Sequence, residues 1–149
     1  MQIKKVNENK SKYMNLLLDA DPDEDIVKKY LESGDLYVGI INNKVVCEIV
    51  ITRYDEKTCE LKNISTLPDY RGKGYASELI RYVFEVYKTK YEKIIVGTTE
   101  NMIPFYVLNG FKKYHHTVKN FFIDNYKAEI WDGDFHCIDM YYYSKELNQ

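Results

Sequence analysis

Apolar and polar positions follow three different rhythms along this chain. In residues 10–18, Tyr13, Leu16 and Leu17 recur at helical spacing and predict a first helix. Pro22 then breaks the pattern, and residues 23–32 predict a second helix. Its first turn is acidic, which suits the positive end of a helix dipole, and Gly34 stops it. Period-two runs follow at 36–41, 45–52 and 59–67, separated by Asn42-Asn43 and by Asp55-Glu56-Lys57. Asn tolerates the positive φ of a tight hairpin, and strands joined by turns this short are antiparallel.

Beyond residue 67 the rhythm changes. Pro68, Gly72 and Gly74 interrupt regular structure. Ala76, Leu79, Ile80, Val83 and Tyr87 then fall on one stripe, the mark of an amphipathic helix. Ile94-Ile95-Val96 reads as a short buried strand, and a strand–loop–helix–strand unit sets its two strands parallel. Residues 104–108 predict a short helix stopped by Asn109-Gly110, and aromatic strands are expected around 119–123 and 138–143. The expected fold is α/β in the α+β sense. It has one domain over residues 1–149, with a mixed, mostly antiparallel central sheet and helices on both faces.

Composition narrows the function. A chain of 149 residues, 45% apolar and 15% aromatic, buries a core and is not disordered. A net charge of −2 argues against nucleic acid as the main partner, because phosphate binding needs a basic surface. No apolar run approaches the length that spans a bilayer, and the first residues carry no signal-peptide pattern, so no membrane partner is expected. Cys47, Cys59 and Cys137 are widely spaced, which predicts reduced thiols in a cytoplasmic protein. His115, His116 and His136 show no metal spacing, so no metal is expected. Side chains of adjacent residues diverge on a regular strand, which gives His115 and His116 surface or structural roles.

Arg71-Gly72-Lys73-Gly74-Tyr75-Ala76 lies between a predicted strand and a predicted helix. A helix start offers unpaired N–H groups and partial positive charge, and glycines let a diphosphate come close. A plain glycine-rich turn is the competing reading. The loop lacks the G-x-x-x-x-G-K-[ST] of nucleotide P-loops, and Ser77 stands where the dinucleotide fingerprint wants its third glycine.

The same loop resembles the GNAT acetyltransferase pattern Arg/Gln-x-x-Gly-x-Gly/Ala. Its lead-in Leu67-Pro68-Asp69-Tyr70 is similar to that family's, and Phe105-Tyr106-Val107-Leu108-Asn109-Gly110-Phe111 resembles its F-Y-x-x-x-G-F motif. The tail Trp131-Asp132-Gly133 and Cys137-Ile138-Asp139-Met140 looks like a bacterial subgroup of mostly unassigned substrate. The resemblance implies acetyl-CoA as co-substrate and transfer of its acetyl group to a primary amine through a tetrahedral intermediate. Backbone amides of Arg71, Gly72, Lys73, Gly74, Tyr75 and Ala76 would hold the pyrophosphate, and the side chains of Lys73 or Arg71 would approach phosphates or stand as surface bases. Ile64, Ser65 and Thr66 would run beside the pantetheine and aim an amide at the thioester carbonyl. Asn101, or Thr99 in its place, would bond the pantetheine arm. Tyr106 would protonate the departing thiolate. For the base the resemblance leaves open Glu60, Glu48 or a chain of waters; Glu48 interrupts an otherwise apolar strand, where a buried charge needs a purpose.

Residues 19–25 carry five carboxylates and border the family's acceptor groove, so they would attract a cationic amine or serve only as caps and solubilising charge. Phe121, Phe122, Tyr126 and Trp131 would line the same groove, or pack in a core or a dimer contact. The leading expectation is a small cationic acceptor. A peptide or protein amine, and a non-catalytic acyl-CoA sensor, are the alternatives, and a homodimer is the family's habit.

Overall fold

The computed structural model describes residues 1–148. The chain runs β1 (Gln2–Val6), a 3₁₀ turn (Lys10–Tyr13), α1 (Met14–Ala20), α2 (Glu24–Ser33), β2 (Asp35–Ile41), β3 (Lys44–Arg53) and β4 (Thr58–Thr66). It continues through α3 (Tyr75–Tyr87), β5 (Lys93–Thr98), α4 (Ile103–Leu108), β6 (Lys113–Val118), α5 (Phe121–Asn125), β7 (Ile130–Asp132), β8 (Phe135–Cys137) and β9 (Met140–Glu146). Seven strands form one sheet in the order β1-β2-β3-β4-β5-β9-β6, and β7-β8 is a separate hairpin. Only β4 and β5 pair in parallel; the other neighbours are antiparallel. This is the mixed, mostly antiparallel sheet that the hydrophobic pattern calls for.

The sheet is packed on both faces because its central strands are apolar on both. On one face Ile49, Ile51, Leu61, Ile94 and Val96 meet Leu79, Ile80, Val83 and Tyr87 of α3, with Phe111 closing the end. On the other, Leu36, Val38 and Val50 meet Leu17 of α1 and Val27 and Leu31 of α2. Each such side chain, fully buried, contributes roughly 1.5–3 kcal/mol through the water it sheds. The hairpin at Asn42-Asn43 has φ of 48° and 63°, the left-handed pair a two-residue turn requires.

Two expectations for the tail are overturned. Residues 119–123 are not a strand: the chain turns at Asn120 (φ 56°), whose N–H donates to Asp139 Oδ1 at 2.8 Å, and α5 follows. The strand is the preceding Lys113–Val118, hidden in the sequence because as a sheet edge it stays largely exposed and lacks apolar alternation. Nor do His115 and His116 diverge. The β6–β9 register slips between Tyr114 and His116, and this bulge turns the two rings together, with their Nδ1 atoms 2.7 Å apart. The strand β1 and the hairpin β7–β8 were not foreseen either; β1 has two lysines in five residues, and β7 and β8 have three residues each.

Among the described residues no helix is long and apolar enough to cross a membrane.

Phe111 has no exposed surface and packs its ring against Phe84 and Tyr106, at centroid distances of 5.4 and 6.0 Å. Phe111→Ala is expected to lower unfolding free energy by about 3–5 kcal/mol, as read by urea denaturation.

Candidate active site

Two parallel strands that part company make the site. β4 and β5 pair from Thr58↔Lys93 to Leu61↔Val96, and there the ladder ends although β4 runs on to Thr66 and β5 to Thr98. The parting coincides with a bulge: Ile51↔Leu61 is followed by Val50↔Asn63, leaving Lys62 unpaired on β4. Beyond it β4 holds only to β3. Leu67 N–H donates to Val46 O at 2.8 Å, and N–H groups alternate sides along a strand. The N–H groups of Ile64 and Thr66 therefore face away from β3, into the gap. The gap widens into a cleft of about 730 Å³, whose lining includes Ile64, Ser65, Thr66, Thr98, Thr99 and Tyr106.

At one end of this cleft the chain leaves β4 through a 3₁₀ turn at Pro68–Tyr70 and enters α3. Gly72 and Gly74 have φ of 74° and 87°, and a Cβ on either would meet nothing within 4 Å. Backbone conformation, not space, requires glycine here. Gly74 is the N-cap of α3 and has no side chain to offer, so the first-turn N–H groups of a 13-residue helix stay available beside the cleft. Open space, left-handed glycines and a bare helix start fit a diphosphate. Of the two basic side chains, Arg71 turns inward: its Nε donates to Thr66 O at 3.0 Å, and its guanidinium pairs with Asp19. Lys73 lies 5.6 Å from the Tyr70 ring centroid.

Tyr106 reaches the cleft from α4, which starts near Pro104. Its ring sits edge-on to Phe105 at 5.0 Å and to Phe111. Burial, and then the nearby Glu48 carboxyl, push its hydroxyl well above the usual phenol range. The phenol keeps its proton at any physiological pH.

The carboxylates singled out in the sequence lie elsewhere. Glu48 and Glu60 do not line the cleft. Glu48 is completely buried. Its Oε2 is 2.8 Å from Ser65 Oγ, which in turn is 2.6 Å from the Leu16 carbonyl, and its Oε1 has no partner among the described residues. Burial pushes its carboxyl up to about 8, against the opposing Ser65 bond. Glu60 is 3.6 Å from Lys62; burial raises its carboxyl and Lys62 pulls it back. Asn101 also stands outside the lining, donating to Asp132 Oδ2 at 2.9 Å while accepting the Thr99 hydroxyl.

The acidic segment divides its work. Asp19 holds Arg71, Asp23 Oδ1 caps α2 at Ile26 N (3.1 Å), and Glu24 pairs with Lys28 at 3.6 Å. Asp21 lines the cleft and accepts from the hydroxyls of Tyr30 (3.1 Å) and Tyr126 (2.9 Å). Asn63 donates to Tyr30 Oη at 2.9 Å and to Leu17 O at 3.0 Å. Asn63 and Tyr30 were missed in the sequence. The one signal was a polar residue in a strand that is otherwise largely buried, and it does not reveal a partner 33 residues away.

Acetyl-CoA-dependent acetyltransferases are the class defined by this parted sheet and its glycine-rich helix start. The chain belongs to the GNAT family: the family model for the acetyltransferase (GNAT) domain matches residues 32–113. A crystal structure of a GNAT family acetyltransferase from Elizabethkingia anophelis with acetyl-CoA bound superposes with a TM-score of 0.88, at 30% identity over 97% of each chain. An IAA acetyltransferase from Bacillus cereus gives 0.87 at 26% identity, over 97% of this chain and 98% of that one. The uncharacterized N-acetyltransferase YvbK of Bacillus subtilis is 27% identical over 145 residues, 94% of this chain and 92% of that protein. The protein is an acetyltransferase that uses acetyl-CoA.

The Glu48 shift makes stability depend on pH. Its folded value near 8 lies above the ordinary 4.5, so between those values the folded state holds a proton that the unfolded state has lost. Stability is therefore lost as pH rises through this window. In thermal unfolding, Glu48→Gln is expected to match the parent near about pH 5 and to melt above it near about pH 9.

Proposed function

We propose that the protein acetylates a primary amine on a small cationic molecule, which attacks the thioester directly. The observation that carries this reading is the acceptor-side wall. Asp21, Phe122, Tyr126 and Trp131 line the cleft together, a carboxylate among aromatic faces, and both kinds of group attract an organic cation. The chain's own tail, α5 with the β7–β8 hairpin, supplies much of this wall, which favours a compact acceptor over an extended peptide.

Bound acetyl-CoA supplies an activated acyl thioester and a thiol leaving group. Amides of residues 72–76, at the start of α3, hold the diphosphate; the amide of Arg71, expected to join them, donates to Pro68 O at 3.3 Å instead. An amide of the Ile64–Thr66 segment donates to the thioester oxygen as negative charge grows there. Tyr106, neutral and facing the cleft, gives its proton to the leaving sulfur. Glu48 and Glu60 both stand outside the cleft lining, so the proton of the attacking amine leaves to solvent on the acceptor side. Cys47, Cys59 and Cys137 are all unpaired and buried, in keeping with a reducing, cytoplasmic setting.

Thiol release from acetyl-CoA, followed against a panel of polyamines, aromatic amines and peptides, tests the acceptor. Turnover on small cations supports this reading, and turnover on peptides alone overturns it. With the best acceptor, Tyr106→Phe is expected to lower kcat by about 10- to 1,000-fold with little change in KM for acetyl-CoA. Gly74→Glu places a carboxylate in open space beside the diphosphate loop, and KM for acetyl-CoA is expected to rise by at least about 10-fold while circular dichroism stays unchanged.

A further inference from the structure

Ser65 has one hydroxyl proton and two oxygen neighbours, Leu16 O at 2.6 Å and Glu48 Oε2 at 2.8 Å. A carbonyl oxygen can only accept, so the shorter contact takes the Ser65 proton. The contact to Glu48 is then a hydrogen bond only if the carboxyl brings a proton of its own. The burial of Glu48 agrees. Glu48 has no exposed surface and its Oε1 has no partner among the described residues, an arrangement that a full negative charge makes costly.

The geometry points to Glu48 as a positioning residue that works in its neutral form: its carboxyl O–H donates to Ser65 Oγ, which turns the Ser65 proton onto Leu16 and clamps the cleft strand to α1. Asn63 adds a parallel tie from the same strand to the Leu17 carbonyl. The clamp serves acetyl transfer from both ends. Ser65 sits between Ile64 and Thr66, whose amides face the cleft, and α1 ends in Asp19 and Ala20, which line it together with Asp21 and Pro22. Ionised Glu48 would draw the Ser65 proton to itself and release the Leu16 carbonyl, loosening both walls at once. Burial and the Ser65 hydroxyl are the causes that set the Glu48 titration. The titratable groups around it are the hydroxyls of Tyr30 on α2 and Tyr106 on α4 and the thiol of Cys47 on β3; burial pushes all three up, and they stay neutral.

This inference rests on the cleft being the transfer site, and two independent readouts test it. The first needs no substrate: the Glu48 side-chain carbon signal, assigned by its loss in Glu48→Gln, is followed by NMR against pH. A midpoint near 8 is expected, and a midpoint near the ordinary 4.5 overturns the proposal whatever the activity. The second compares Glu48→Gln, whose amide still donates to Ser65, with Glu48→Met, which fills the space and donates nothing. Glu48→Gln is expected to keep kcat within about three-fold near neutral pH and to lose the alkaline fall that the parent shows, while Glu48→Met drops kcat by about 10-fold or more with KM for acetyl-CoA little changed. Equal losses in both variants mean that the carboxylate itself is needed, and overturn the proposal. If Glu48→Met does not fold, Ser65→Ala takes its place: it removes the clamp with Glu48 present, and the same fall in kcat is expected. Unchanged kcat in Ser65→Ala overturns the proposal.

Discussion

The candidate site depends on a ladder that stops early. Backbone N–H groups in a buried strand must find partners, and a regular sheet would give those of β4 to β5. Past Leu61↔Val96 the two strands diverge, and the amides of Ile64 and Thr66 face an open cleft instead. The bulge at Lys62 starts the divergence by adding a residue to β4 alone. A second set of contacts holds the strands apart. Ser65 and Asn63 tie β4 to α1, while Tyr106 reaches the cleft from α4, beyond the end of β5. The backbone donors that a sheet normally consumes are thereby turned toward the cleft.

The polar groups behind β4 follow the same economy. The face toward α1 and α2 carries Glu48, Asn63 and Ser65 in a layer that is otherwise mostly Leu and Val. Their bonds run in one direction, from Asn63 to Tyr30 to Asp21, with Tyr126 closing on the same carboxylate. Asp21 thus joins α2 to the C-terminal segment across the cleft wall. Arg71, joined to Asp19 and to the Thr66 carbonyl, makes a matching tie from α1 to the end of β4. Asp19 at the end of α1 and Asp21 just after it are thus both held by side chains from other elements.

Much of this architecture was legible in order along the chain. The meander from β2 to β4, the Asn42-Asn43 hairpin, the amphipathic stripe of α3 and the short strand β5 are local patterns, each set by residues a few positions apart. The tail misled because its decisive contacts are not local. Residues 119–123 are aromatic enough for a strand, yet Asp139 captures the Asn120 amide and turns them into a helix. The edge strand β6 has no buried stripe, and its bulge brings together two histidines that a regular strand would separate.

The candidate site divides along the same line. The sequence by itself determined the glycine-rich turn, because only a residue without Cβ sits comfortably at the positive φ of positions 72 and 74, and it determined that Tyr106 follows that turn on a short helix. Tertiary structure alone decided what the other polar residues do. Arg71 became a strut and Asn101 a partner of Asp132, and Glu48 came to lie behind the cleft wall next to one serine hydroxyl. The physical reason is distance along the chain. A charge or a hydroxyl acquires its role from the partner that folding sets against it, and the partners here lie between 5 and 52 residues away.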